Sequence, residues 1–254
     1  MLSQDQVAFY QEFGYLSIPN IMPLEEVDWM REVYDRLFAA QAGRDYGDQF
    51  DLAGTDEDDS VATLPQILGP AKYAPELMRS QLWINAELCV MQLLGPMSTF
   101  GDGHMIYKPA RIGAETPWHQ DEAYWDPSLS YESVSIWVPL QEVNEENGCM
   151  WFVPGSHRLE VLPHQSIGGD PRIHALEVLG AITHGAVSCP LPAGGATFHT
   201  SRTLHYTGPN RSDVDRRAYI LGGGLEPTPR EDGRRFVWNE IKQTARAARA
   251  ASNV

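Results

Sequence analysis

Apolar positions in the first hundred residues recur at helical spacing, and beyond residue 100 they break into short strand-like runs between Pro and Gly clusters. Ser3 can cap a helix bearing Val7, Phe9, Tyr10 and Phe13, and Gly14 closes it before the strand-like Tyr15-Leu16-Ser17-Ile18. Pro23 suits a first helical turn. Leu24, Val27, Met30, Val33, Tyr34, Leu37 and Phe38 then trace one apolar stripe, which predicts a helix buttressing a sheet. Residues 78–94 again read as helix, strands are predicted at 104–108, 134–139, 149–153, 195–199 and 217–222, and 236–250 reads as a peripheral helix rich in Arg and Ala.

Early helices followed by late strands, without regular alternation of the two, argue against a doubly wound parallel sheet and for an antiparallel sandwich or barrel. The expected architecture is mainly β with flanking helices, a jelly roll within a single domain spanning 1–254. Helices in 1–100 would buttress a core at about 100–225, with a helical tail at 230–254.

Composition supports a folded core, with 43% hydrophobic and 21% charged residues. The formal net charge is −15, and residues 1–60 carry fourteen Asp or Glu against three Arg, a local net of 3 − 14 = −11. Such a field disfavours nucleic acid, anionic membranes and polyanionic substrates such as acyl-coenzyme A esters. Cys89, Cys149 and Cys189 are too far apart for a CxxC motif or a disulfide framework, which points to a reducing cytoplasm. The opening MLSQDQVAFYQEFG lacks the basic and apolar regions of a signal peptide, and no apolar run is long enough to span a bilayer. A small-molecule partner, no membrane, and a monomer or homodimer are the expectations.

The segment Thr116-Pro117-Trp118-His119-Gln120-Asp121 sets an imidazole and a carboxylate two positions apart, and extended backbone points both to one side. A third ligand must come from elsewhere. His205 is the candidate, 86 residues downstream, with His199 as its competitor. Two His and one carboxylate on one face leave positions open, as non-haem iron(II) oxygenases require, whereas zinc alone usually prefers a tetrahedral set.

WHQD at 118–121, NGCMWFVPGSH at 147–157 and LHYTGPNRSDVDRRAYIL at 204–221 resemble the phytanoyl-CoA dioxygenase family in order and spacing. That resemblance implies a double-stranded β-helix, cupin-like fold and a hydroxylase or related dioxygenase that uses iron(II), 2-oxoglutarate and O2. It implies that His119, Asp121 and His205 are the catalytic metal ligands. Arg216, eleven residues after His205, takes the place of the arginine gripping the far carboxylate of 2-oxoglutarate. A guanidinium suits that task because its planar fork can make two charge-assisted hydrogen bonds to one carboxylate. Arg217 competes for the role, but alternation puts the pair on opposite faces. Met105, Gln120, Trp137 and Thr207 match positions that line the co-substrate site, and Gln66 is the candidate from the region before residue 100. A carboxylate at 121 argues against halogenation, since related halogenating enzymes carry a small residue there.

The implied activity is oxidation of a C–H bond in a small organic molecule, such as a secondary-metabolism intermediate, with release of succinate and CO2. A non-catalytic metal or 2-oxoglutarate binder and a zinc hydrolase are the alternatives. His157 reads as a turn residue, while His104, His164, His174 and His184 lie outside any motif and read as exposed or individually satisfied. Trp118, Tyr124, Trp125 and Trp151 flank the metal motifs, and Tyr124 and Trp125 are the pair expected to reach a pocket. The acidic run at 56–59 reads as solvated, and the triple glycine at 222–224 as a strand exit. Residues 43–60 and 159–185 are candidate lids and specificity elements.

Overall fold

Ser3 caps the first helix: its hydroxyl accepts from the Gln6 N–H, and the Gln6 side chain accepts from the Ser3 N–H. This helix, α1 (Gln4–Phe13), ends where Gly14 takes φ +77°, at a point where a Cβ would collide with His157. A computed structural model describes residues 1–57, 60–180 and 182–252. After α1 come β1 (Tyr15–Ile18), α2 (Leu24–Ala39), β2 (Gln49–Asp51), β3 (Pro65–Leu68) and α3 (Gln81–Leu94). The first hundred residues therefore contribute strands as well as buttressing helices. The strand-like Tyr15–Ile18 run is β1 as expected, whereas in β2 and β3 Gln49, Asp51, Pro65 and Gln66 interrupt any comparable run.

Beyond residue 100 the chain is strand-rich: β4 (Thr99–Lys108), β5 (Thr116–His119), β6 (Leu129–Ser130), β7 (Ser133–Pro139), β8 (Met150–Phe152), β9 (His164–Ser166), β10 (Leu176–Val178) and β11 (Val187–Cys189). Then follow β12 (Ala196–Thr200), β13 (His205–Thr207), β14 (Arg216–Gly224) and β15 (Thr228–Pro229), and the chain ends in α4 (Val237–Glu240) and α5 (Ala245–Ser252). Among the described residues the larger sheet is antiparallel throughout, ordered β1-β12-β7-β14-β4-β3-β2, and the smaller is ordered β11-β8-β13-β5. The predicted mainly-β jelly roll is the observed fold.

Alternation along each strand divides the larger sheet into two faces. On the outer face Val134, Ile136 and Val138 of β7, Met105 of β4 and Tyr219 of β14 pack beneath Met30, Tyr34 and Leu37 of α2 and Leu82 and Val90 of α3. On the inner face Trp137, Ile106, Ala218 and Ile220 meet Met150 and Phe152 of the smaller sheet. The functional cavity opens within this inner layer. The triple glycine lies inside β14 rather than beyond its end, and a Cβ at Gly223 would overlap the Thr99 carbonyl and Val90.

The tail is less peripheral than its composition predicts. Trp238 donates from Nε1 to the Ala123 carbonyl (2.9 Å), and Lys242 donates to the His174 carbonyl (2.9 Å) while lying over the Tyr124 ring. Asp56 is held by Arg44 at 2.7 Å and by Arg249, whereas Asp58 and Asp59 of the acidic run lie outside the described residues. The 159–185 segment holds the small β9–β10 pair, and Ala181 within it is also outside them. No described helix is long and apolar enough to cross a membrane.

Candidate metal and co-substrate site

His205 and His119 are directly opposed on β13 and β5, and their rings lie 4.1 Å apart. His119 Nδ1 donates to the Pro117 carbonyl (2.7 Å) and His205 Nδ1 to the Thr203 carbonyl (2.9 Å). A carbonyl can only accept, so each ring carries a proton on Nδ1 and turns its Nε2 toward the site. The two Nε2 atoms flank Asp121, whose Oδ1 lies 3.6 Å from His119 Nε2 and 3.4 Å from His205 Nε2. The three ligand atoms fall within 4.8 Å of one another, a grouping able to hold a metal ion.

Electrostatics favour the ligand forms. Burial, and then the neighbouring His205, hold His119 well below the usual imidazole range, so it stays neutral. Burial pushes the Asp121 carboxyl upward, but His205 and His199 outweigh it and keep the group well below the usual carboxylate range. The second carboxylate oxygen is held too: Ser135 Oγ donates to Oδ2 at 2.8 Å, and His199 Nε2 lies 3.2 Å from it. His199, read from sequence as a competing ligand, thus touches the carboxylate and stands outside the ligand grouping. Its Nδ1 is buried without a partner.

The triad faces a cavity of about 610 Å3. Trp137, Thr207, Gln66 and Arg216 all line it, as predicted co-substrate contacts would. Arg216 is 1% exposed, lies over the Trp137 ring at 5.5 Å, and donates from one terminal nitrogen to the Ile106 carbonyl at 3.3 Å. Its Nε is buried without a partner, and among the described residues no carboxylate pairs with it. Burial lowers its pKa to about 10, so it still carries charge at neutral pH. A buried cation left this open fits an anionic ligand such as a dicarboxylate. Arg217 points the other way, to Asp35 (2.6 Å).

Two predicted contacts do not reach the cavity. Met105 lies on the outer face of β4 among the helices, while its neighbours His104 and Ile106 line the cavity. Gln120 lies between two inward residues and must point away: its amide donates to the Arg202 carbonyl (2.8 Å) and accepts from the Leu162 N–H (2.8 Å), pinning the flanking loops. Conversely, His104 and His174 line the cavity although no motif marks them, and burial pushes their pKa values down to about 4 and about 3. His164 is also buried, at hydrogen-bond distance from the Gln120 N–H (3.2 Å), so of the four motif-free histidines His184 alone is exposed.

β7 spans the depth of the cavity. Ser133, Ser135 and Trp137 share its inner face, opposite Gly224, Gly222 and Ile220 of β14, and Arg216 lies further along β14 beyond Ile220. Trp137 therefore lies toward Arg216, Ser135 at the level of Asp121, and Ser133, beside the exposed Glu132, at the opposite end. Tyr124, Trp125 and Tyr131 add aromatic walls, and Arg216 is the sole Lys or Arg among the described lining residues.

The family described as phytanoyl-CoA dioxygenase (PhyH) matches residues 10–218. A probable alpha-ketoglutarate-dependent hypophosphite dioxygenase of Stutzerimonas stutzeri is 27% identical, over 86% of this chain and 77% of that protein. The ectoine dioxygenase of Bordetella parapertussis is 29% identical, over 89% of this chain and 77% of its own length. Among solved structures, EvdO2 from Micromonospora carbonacea var. aurantiaca, complexed with 2-oxoglutarate, superposes with a TM-score of 0.80 at 36% identity, covering 94% of this chain and 97% of EvdO2.

Proposed function

This chain belongs to the phytanoyl-CoA dioxygenase family, and from that premise we propose how its cavity performs the oxidation. It is an oxygenase dependent on iron and 2-oxoglutarate. Of the readings the sequence leaves open, the zinc hydrolase and the non-catalytic binder find no support among these relatives.

His119, Asp121 and His205 hold the iron in this reading, and Arg216 with Thr207, Trp137 and Gln66 receives 2-oxoglutarate. When bound, the pair supplies an oxidant able to take hydrogen from an unactivated C–H bond, with conversion of the oxo acid to succinate and CO2. The rest falls to the chain. The Pro117 and Thr203 carbonyls fix the imidazole tautomers, Ser135 and His199 orient the carboxylate, and the apolar inner layer excludes water.

The preferred product is a hydroxylated small molecule, uncharged or cationic. The observation that carries this is the cavity wall: Arg216 occupies the co-substrate end, and among the described residues no other Lys or Arg lines the remainder. An acyl-coenzyme A ester would bring several negative charges past the exposed Glu132, where the neighbouring Arg230 and Arg234 are already paired with Asp232 and Glu122. Succinate release should therefore respond to neutral or cationic ring compounds in a candidate panel and not to coenzyme A esters. Stimulation by the esters alone would reverse the assignment of substrate class.

A further inference from the structure

Lys108 is fully buried on β4, directly opposite Arg216 on β14. Its Nζ has three oxygen neighbours: the Thr207 carbonyl at 3.1 Å, Thr207 Oγ1 at 2.8 Å and the Gly208 carbonyl at 2.6 Å. Thr207 lines the cavity, whereas Lys108 does not. Burial, and then Arg216, lower the amine's pKa well below the ordinary lysine value. A neutral amine would donate to the two carbonyls and accept from the hydroxyl, whereas an ammonium, which an anion bound at Arg216 favours, donates to all three oxygens.

A hydroxyl that accepts from an ammonium keeps its own proton for another acceptor. Both lysine-bound carbonyls already have their donor, and the open side of Thr207 is the cavity. We propose that Lys108 is a positioning residue for 2-oxoglutarate: by donating to Thr207 Oγ1 it turns the threonine O–H toward the far carboxylate that Arg216 also meets. This rests on the co-substrate reading given above and adds a specificity device to it. The carboxylate then meets a cation and a polarised hydroxyl, so a 2-oxo acid lacking that group loses both.

Calorimetric titration of the iron(II)-loaded protein under anaerobic conditions, with 2-oxoglutarate and with 2-oxopentanoate as separate probes, tests the proposal. Lys108→Met should weaken 2-oxoglutarate about tenfold and leave 2-oxopentanoate unchanged, as should Thr207→Val, and the double variant should be no worse than either single one. Additive losses, equal weakening of both acids, or no effect of Lys108→Met would each overturn it. Should Lys108→Met fail to fold, Thr207→Val decides: loss confined to 2-oxoglutarate supports the oriented hydroxyl, and unchanged selectivity removes it. Arg216→Ala is the control for the underlying reading. If Arg216→Ala leaves 2-oxoglutarate binding intact the co-substrate assignment falls and takes this inference with it, whereas a loss there with silence at Lys108 sinks the inference alone.

Discussion

His199 Nε2 lies 3.2 Å from Asp121 Oδ2, whereas His119 and His205 approach the other oxygen, Oδ1. The carboxylate accepts, so this nitrogen carries the proton, and the unprotonated Nδ1 is the atom left buried without a partner. His199→Phe keeps the ring's packing and removes the donor. Iron affinity, read by competition with a chelator, should fall about 10- to 100-fold, the usual cost of losing an outer-sphere contact to a metal ligand. Unchanged affinity would show that Ser135 alone holds Asp121.

His119→Ala and Asp121→Ala each remove one corner of the ligand grouping. Both variants should purify without stoichiometric iron and convert no detectable 2-oxoglutarate to succinate. Full iron content in either, by metal analysis of anaerobically prepared protein, would remove that residue from the ligand set.

Arg216→Ala deletes the open cation at the co-substrate end. The 2-oxoglutarate concentration for half-maximal turnover should rise about 100-fold, consistent with ~3 kcal/mol for hydrogen bonds to a charged group. The maximal rate should change much less. The opposite split, with kcat lost and KM retained, would place Arg216 at the chemistry rather than at binding.

Stability should fall on the acid side. Burial first, and then Lys242 and Arg246, push the His174 pKa from 6.5 down to about 3, so the unfolded chain takes up a proton that the folded protein refuses. This contribution is complete above pH 6.5 and disappears as pH drops toward 3. His174 stacks on Tyr124 at 5.7 Å and meets Phe50 edge-on at 4.9 Å, so phenylalanine can replace it in shape. Urea midpoints of His174→Phe should vary less with pH in that window than those of the parent. Parallel curves would discount the imidazole.

Local patterns made the metal grouping legible, because the extended backbone at Gln120 turns His119, the last residue of β5, and Asp121, the first of a 3-10 turn, to one side, and His205 leads a recognisable run. The same alternation separates Arg216 from Arg217, and applied consistently it would also have turned Gln120 away from the cavity, since it lies between two inward residues. Met105 escaped that check because nothing in the sequence fixes which face of β4 is inner. That becomes plain only when Tyr34 and Tyr219 are seen packed with it in the outer core. His104 and His174 carry no motif, and separate strands and loops bring them to the cavity. β2 and β3 show no strand-like run, since Gln49, Asp51, Pro65 and Gln66 leave each with one or two apolar residues, unlike the equally short β1.

Ser133 and Trp137 sit on one strand, separated by about 13 Å at the rise of extended backbone. That separation insulates the rim from the Arg216 end, with Ser135 and the metal ligands between them. Selection can trade side chains at Ser133, Glu132 or Tyr131 and so change which molecules enter, while the residues that gather iron and oxo acid stay fixed. Lineages diverging from such an ancestor would then differ at the entrance before they differed in chemistry.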